Sequence, residues 1–200
     1  MSGNRVACID LEGVLIPELW PMLADSSAVA ELALTTREVP DFRGLMERRL
    51  ALLRAHRLRL CDVLEHLRRA QALPGAPAFV AGLRRSHRLL LVSDAFAPMV
   101  GPLVRQLGPG LDLECHDFET DDSGFIERCV FAPRRGKEDV VRRLQAQGCE
   151  VLAVGDAFND LAMLAAADQA FLFRPSPQVA SAAQDLSTVT DYAQILRSLA

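Results

Sequence analysis

Arg5-Val6-Ala7-Cys8-Ile9-Asp10-Leu11-Glu12-Gly13-Val14 decides how this chain is read. A short apolar run without breakers predicts a buried strand over Arg5–Ile9, and that strand ends directly on a carboxylate. Two further runs behave the same way: Leu89–Val92 leads into Ser93-Asp94, and Val151–Val154 leads into Gly155-Asp156. Ala170–Phe173 reads as a fourth buried strand. Such runs alternating with helical patterns indicate an α/β fold built on a doubly wound, mainly parallel sheet. Parallel strands carry their ligand sites at their carboxyl ends, so three polar strand ends can converge on one crevice.

Outward from the strands, residues 16–73 differ in character. Phe42, Leu45, Met46, Leu50 and Leu53 share one helical face, and Val63, Leu64, Leu67 and Ala70 another. Pro40-Asp41 and Pro74-Gly75 punctuate the segment. It is too long for a plain crossover and too strongly patterned for a disordered loop, so it is expected to be a small helical cap, with 1–15 and 74–200 forming the core. Pro98–Leu107 predicts a crossover helix. Leu113–Thr120 and Phe125–Phe131 flank Asp121-Asp122-Ser123-Gly124, a hairpin turn. Lys137–Gln147 is amphipathic through Val140, Val141 and Leu144, and the chain closes with a strand at Ser187–Val189 and a helix from Tyr192 to Leu199.

Composition narrows the function classes. Two hundred residues, half of them hydrophobic, suit one core with a modest insertion. A net charge of −4 argues against a general nucleic-acid binder. No run reaches the roughly 18 uninterrupted apolar residues of a membrane span. The first residues enter a strand-like run without a signal-peptide pattern, so a cytoplasmic location is expected. Cys8, Cys61, Cys115, Cys129 and Cys149 are scattered without metal-type spacing and are expected to be reduced and mostly buried. No feature specifies an oligomeric state. Lys137 is the single lysine among 22 Lys plus Arg, which raises the question of what an arginine could not do there.

Four places carry chemistry. Asp10 can attack phosphorus to form an aspartyl phosphate, dividing one hard displacement into two easier ones. Glu12 can protonate the leaving oxygen, and Gly13 lets the backbone turn tightly. Ser93 offers a hydroxyl beside backbone N–H groups, although a Ser-Asp pair at a strand end also reads as a helix cap. Lys137 opens a helix, where a cation is mildly unfavourable. A compact ammonium could bridge a nucleophile and a phosphoryl group, while a solvated surface lysine remains the plainer alternative. Gly155-Asp156-Ala157-Phe158-Asn159-Asp160 supplies Asp156 as an oxygen ligand for Mg²⁺. Asp160 can orient its neighbours or a metal-bound water, and Asn159 can brace the loop or touch substrate.

Taken in order, D-x-E-G, apolar-Ser, helix-opening Lys and G-D-x-x-N-D resemble the four-motif pattern of the haloacid dehalogenase superfamily, across nearly the whole chain. DLEGVLIPELW (10–20), TTREVPDFRGLMERRL (35–50) and GDAFND (155–160) resemble, within it, the bifunctional phosphoserine phosphatase/homoserine phosphotransferase subfamily. The resemblance implies a Rossmann-like core and a place in serine biosynthesis. It implies Asp10 as nucleophile, Glu12 as acid/base, and Mg²⁺ held by Asp156, the Asp10 carboxylate and the Glu12 backbone carbonyl. It implies further that Ser93, with neighbouring Asp94, and Lys137 form the phosphate and substrate site. Glu18 would meet the substrate's amino group, Arg49 its carboxylate, and Asn159 would make a further contact. Most of the superfamily has aspartate at the Glu12 position, whereas the subfamily shares the glutamate. Glu18 sits one residue nearer the nucleophile than in ordinary phosphoserine phosphatases.

The rival readings are a phosphatase of the same superfamily for another small phosphomonoester and a non-catalytic phosphate-binding module. A receiver-type signalling domain also uses acidic strand ends, but the insertion and the D-x-E-G order count against it. The longer arm of Glu12 suits a carbon alcohol as well as water as acceptor. Glu12→Asp is therefore expected to shift the ratio of phosphotransfer to hydrolysis, measured as phosphohomoserine against free phosphate; an unchanged ratio with both rates scaled would contradict this.

Overall fold

The computed structural model describes residues 4–35 and 41–199, so Pro40 and most of the 35–40 part of the second motif lie outside the described residues. The strands are β1 (Arg5–Ile9), β2 (Arg88–Phe96), β3 (Asp112–Thr120), β4 (Ile126–Val130), β5 (Glu150–Gly155), β6 (Gln169–Phe173) and β7 (Ser187–Val189). The α-helices are α1 (Leu19–Ser27), α2 (Phe42–Ala55), α3 (Leu60–Leu67), α4 (Ala76–Leu83), α5 (Ala97–Leu107), α6 (Glu138–Ala146), α7 (Leu161–Ala166), α8 (Pro177–Ala182) and α9 (Tyr192–Ser198).

The strands form one seven-stranded sheet in the order β4-β3-β2-β1-β5-β6-β7. All neighbours are parallel except β3 and β4, the hairpin around Asp121, whose Oδ1 accepts from the backbone N–H groups of Ser123 and Phe125. Alternate side chains of β1 serve the two faces. Ala7 and Ile9 enter a core shared with α1–α5 and α9, while Val6 and Cys8 pack with α6–α8. The chain builds outward from β1 to β4 on one side, then returns to β5 on the other. That reversal opens a crevice at the carboxyl ends of β1 and β5, where such sheets bind ligands.

The two ends of the segment 16–73 lie together, the Leu73 N–H donating to the Leu15 carbonyl at 2.9 Å. The predicted faces are used: Leu45, Met46 and Leu53 are buried with Val63, Leu67 and Ala70, while Phe42, Leu50 and Leu64 are partly covered. An N-cap starts α2, with Asp41 accepting from the N–H groups of Arg43 and Gly44. The insertion also meets the hairpin: the Leu60 N–H donates to the Gly124 carbonyl, and Arg54 pairs with Asp121 at 2.6 Å.

Three expectations need correction. β2 does not stop at Val92 but continues through Ser93 and Asp94 to Phe96, with its pairing to β3 broken between Val92 and Phe96. Ser93-Asp94 is therefore not a helix cap; Phe96 precedes α5. Of the cysteines, all free, only Cys8 and Cys149 are buried; Cys115 and Cys129 are half-buried and Cys61 is exposed. Burial pushes the Cys8 thiol up to about 12 and those of Cys115 and Cys129 to about 11, so all three stay protonated near neutrality. Among the described residues, no helix is long and apolar enough to cross a membrane.

One tertiary contact steadies the turn after β1. Tyr192 is stacked between Phe79 and Phe173, with ring centroids 4.6 and 4.8 Å away, and its hydroxyl donates to the Val14 carbonyl at 2.6 Å. Tyr192→Phe keeps the stack but strands a buried acceptor. It is expected to lower unfolding stability by about 1–3 kcal/mol in urea titration, and a change within error would show that the Val14 carbonyl finds another donor.

Candidate active site

The three polar strand ends do converge: Asp10 after β1, Ser93 and Asp94 near the end of β2, and Asp156 after β5 line one cavity. Asp160, which closes the 3₁₀ turn Phe158–Asp160 before α7, joins Asp10 and Asp156. Carboxylate oxygens of the three lie within 4.8 Å of one another. The Lys137 ammonium, immediately before α6, donates to Asp10 Oδ1 and Asp160 Oδ1, both at 2.7 Å. Lys137 is 2% exposed and Asp160 fully buried, so the solvated-surface alternative for Lys137 is excluded. The free oxygen of Asp160 is also used: Oδ2 accepts from the N–H groups of Asp156 and Ala157 and so shapes the loop that presents Asp156.

Glycine is required twice here. Gly13 has φ +79°, and a Cβ at that position would overlap the Asp156 carboxylate; at Gly155 it would overlap Asp160. The two loops can approach only because those side chains are missing.

The electrostatics describe a site short of positive charge. Burial, with Asp160 next, pushes the Asp10 carboxyl well above its usual range, against Lys137. Burial and Asp160 raise Asp156 to about 7. Burial opposes charge on Lys137 as well, but Asp10, Asp160 and Asp94 outweigh it and hold the ammonium protonated. Three carboxylates against one ammonium leave an excess of buried negative charge. Oxygen ligands clustered in that way fit a hard divalent cation, with Asp10 and Asp156 the ones open to it.

One cavity of about 930 Å³ opens from this cluster, lined by Asp10, Glu12, Glu18, Arg49, Ser93, Asp94, Lys137, Asp156 and Asn159. Glu12 is half-buried, and one of its oxygens accepts from the Leu19 N–H at 2.8 Å. Burial, then Glu18, raises its carboxyl to about 7. Glu18 opens onto the cavity, with its carboxyl raised by burial. Arg49 is buried rather than a surface cation. Its guanidinium lies 4.3 Å from the Trp20 ring centroid and donates to the Leu34 carbonyl at 2.7 Å, while buried Nε has no partner among the described residues. Burial lowers its pKa to about 10, opposed by Glu12 and Glu18.

Ser93 is 1% exposed, and its hydroxyl oxygen accepts from the Ala95 N–H. Asp94 and Asn159 meet each other, Nδ2 of Asn159 donating to Asp94 Oδ2 at 2.9 Å. The sequence did not single out Arg134 and His116, which hold the other side of Asp94. Arg134 Nη2 donates to Asp94 Oδ1 at 3.0 Å, and His116 Nε2 lies 3.6 Å from that oxygen. Burial works against charge on Asp94, but Lys137, Asn159, Arg134 and His116 together lower its pKa. The one available signal was His116, a titratable residue inside the predicted strand Leu113–Thr120.

The Ala132 N–H donates to His116 Nδ1 at 3.0 Å, which leaves the ring proton on Nε2. Burial holds this imidazole below its usual 6.5; Arg134, Lys137 and Arg43 add to that, and Asp94 pulls the other way without prevailing. The fold thus favours neutral His116. The resulting stability is complete above 6.5 and is lost as pH falls below that value through the folded pKa. His116→Gln keeps an acceptor for Ala132 but cannot titrate. Its stability in urea is expected to fall less steeply than the wild type's from pH 6.5 to about 5, and parallel profiles would assign the loss elsewhere.

Comparison with known proteins agrees with this geometry. The profile of the haloacid dehalogenase-like hydrolase family matches residues 5–168. The chain is 35% identical over 193 residues to a protein named phosphoserine phosphatase ThrH from Pseudomonas aeruginosa, covering 96% of this chain and 94% of that one. It is 36% identical over 175 residues to a phosphoserine phosphatase from Pseudomonas syringae pv. tomato, covering 88% of this chain and 73% of that one. Among solved structures, a substrate-bound phosphoserine phosphatase complex superposes with a TM-score of 0.79 at 19% identity, over 99% of both chains, a likeness of fold.

Proposed function

The chain belongs to the haloacid dehalogenase-like hydrolases, and on that footing we propose that it is a Mg²⁺-dependent phosphoserine phosphatase, acting through an aspartyl phosphate on Asp10 and able to pass the phosphoryl group to homoserine. One observation carries the reading. A single cavity holds Asp10, Glu12, Asp156 and Lys137 together with a second pair of opposite charges, Glu18 and Arg49. A phosphorylated amino acid bears a phosphate, an ammonium and a carboxylate, and this cavity offers a partner for each. The relatives named phosphoserine phosphatase, one of them matched over 94% of its length and the other over 73%, support the same substrate.

Residues 16–73 act as the cap and the remainder as the core; the location is cytoplasmic. Asp10, Asp156 and the Glu12 carbonyl would hold Mg²⁺, which supplies charge neutralisation for the phosphoryl oxygens. Lys137 occupies Asp10 Oδ1, leaving Oδ2 as the attacking atom. Oδ2 forms a bond to phosphorus as the bond to the serine oxygen breaks, and that oxygen takes the proton of Glu12. A carboxyl raised to about 7 can hold such a proton near neutral pH. The Glu12 carboxylate then removes a proton from water or homoserine, whose oxygen attacks phosphorus and releases Asp10. Ser93 and Lys137 hold the phosphoryl oxygens; Glu18 receives the substrate ammonium and the Arg49 guanidinium its carboxylate. Positioning and charge stabilisation supply most of the acceleration.

Phosphoserine and Mg²⁺, with and without homoserine, provide the test. Turnover is expected with the wild type and only background with Asp10→Asn; homoserine should divert product to phosphohomoserine. Arg49→Ala should raise KM for phosphoserine by roughly 10- to 100-fold, the worth of one or two charge-assisted hydrogen bonds, without weakening inhibition by inorganic phosphate. An unchanged KM would move the substrate to another phosphomonoester.

A further inference from the structure

We propose that Arg134 is a positioning residue for the phosphoryl transfer: it holds the end of β2 in the conformation that turns the Ser93 hydroxyl toward the cavity. The inference rests on the function proposed above. β2 pairs with β3 through Leu90, Leu91 and Val92, loses its register, and pairs again only at Phe96 with His116. In that gap, among the described residues, Ser93 has no register partner on β3 to supply a ladder donor. Arg134 supplies one, its Nη2 donating to the Ser93 carbonyl at 2.7 Å and to Asp94 Oδ1 at 3.0 Å. Asp94 extends the hold, since its second oxygen accepts from Asn159 on the loop after β5. One guanidinium thus spans the break in pairing with β3 and, through Asp94, ties the end of β2 to the loop after β5.

Arg134 is poorly placed to bind the phosphoryl group itself. Its side chain is 3% exposed and lies between two carboxylates, Asp94 at 3.0 Å and Glu114 at 3.7 Å. The donor nearest the site is already engaged with a carbonyl and a carboxylate. A lysine could not reproduce a planar fork in that space. Arg134 stands three residues before Lys137, so the same short segment sets both the ammonium and the strand end that carries Ser93.

The test is a double-mutant cycle on kcat for phosphoserine with Mg²⁺. Arg134→Met is expected to lower kcat on the order of 100-fold, the effect of a misplacement near 1 Å, and Arg134→Lys should not restore it. In a Ser93→Ala background the same Arg134→Met change should cost less than about 3-fold, because it would act through a hydroxyl already gone. Effects that multiply, or rescue by Arg134→Lys, would overturn the proposal in favour of an independent role. Should Arg134→Met fail to fold, Asp94→Asn loosens the same fork and runs in the same cycle. If the wild type does not turn over phosphoserine, the substrate reading fails on its own; the cycle is then read from calorimetric binding of inorganic phosphate with Mg²⁺, with the same criterion of non-additivity.

Discussion

Between Asp10 and Asp160 lies an ammonium that touches both at 2.7 Å and almost no water. It joins the end of β1, the start of α6 and the turn before α7, with Asp10 and Lys137 127 residues apart in sequence. Burying three charges is unfavourable unless each is matched, and removing one member of such a group commonly costs about 3–5 kcal/mol. Asp160 then passes the constraint onward by accepting from the N–H groups that shape the Asp156 loop. The crevice of the doubly wound sheet gives these residues a common address, but the ammonium fixes their distances. Neighbouring carboxylates remain in excess over it, and a divalent cation suits what is left over.

A second, looser ring surrounds this centre. Asp94 accepts from Arg134 and Asn159, and His116 stands against it with one tautomer set by Ala132. His116 is itself packed among Phe42, Phe96 and Phe131, with ring centroids 5.1–5.8 Å away. The hairpin β3–β4 and helix α2 thereby share an aromatic wall with the site, so the residues that dress the strand ends come both from segment 16–73 and from the chain that follows it.

Much of this was legible in residues and some was not. β1 and β5 announce themselves as unbroken apolar runs, the Asp121–Gly124 turn by its chemistry, and α5 and α6 by apolar stripes at helical spacing; all are local signals. α1 was missed because Leu19, Trp20, Leu23 and Ala24 are all buried and Pro21 sits in its first turn, so no polar face marks its period. α7 and α8, at six residues each, are too short to show one. Asp10, Glu12 and Asp156 were visible as carboxylates at strand ends, and Lys137 because it breaks an arginine habit. Arg134 and His116 were not, since their meaning lies in a register break between β2 and β3 that no local pattern encodes. The expectation that the cysteines are mostly hidden failed for a related reason: exposure along α3 and the hairpin is settled by which edge faces neighbours.

Returning to Lys137, its burial bears on how the protein meets amine-directed reagents. Acylating agents, aldehydes and cyanate ordinarily find a scatter of lysine ε-amines on a protein's surface. Here the only one in the sequence is shut inside the site and held protonated by its carboxylate neighbours. Covalent labelling of a lysine side chain in this chain would therefore report the opening of the crevice rather than the chemistry of the surface, and any modification that did land there would remove the central charge of the site in the same event.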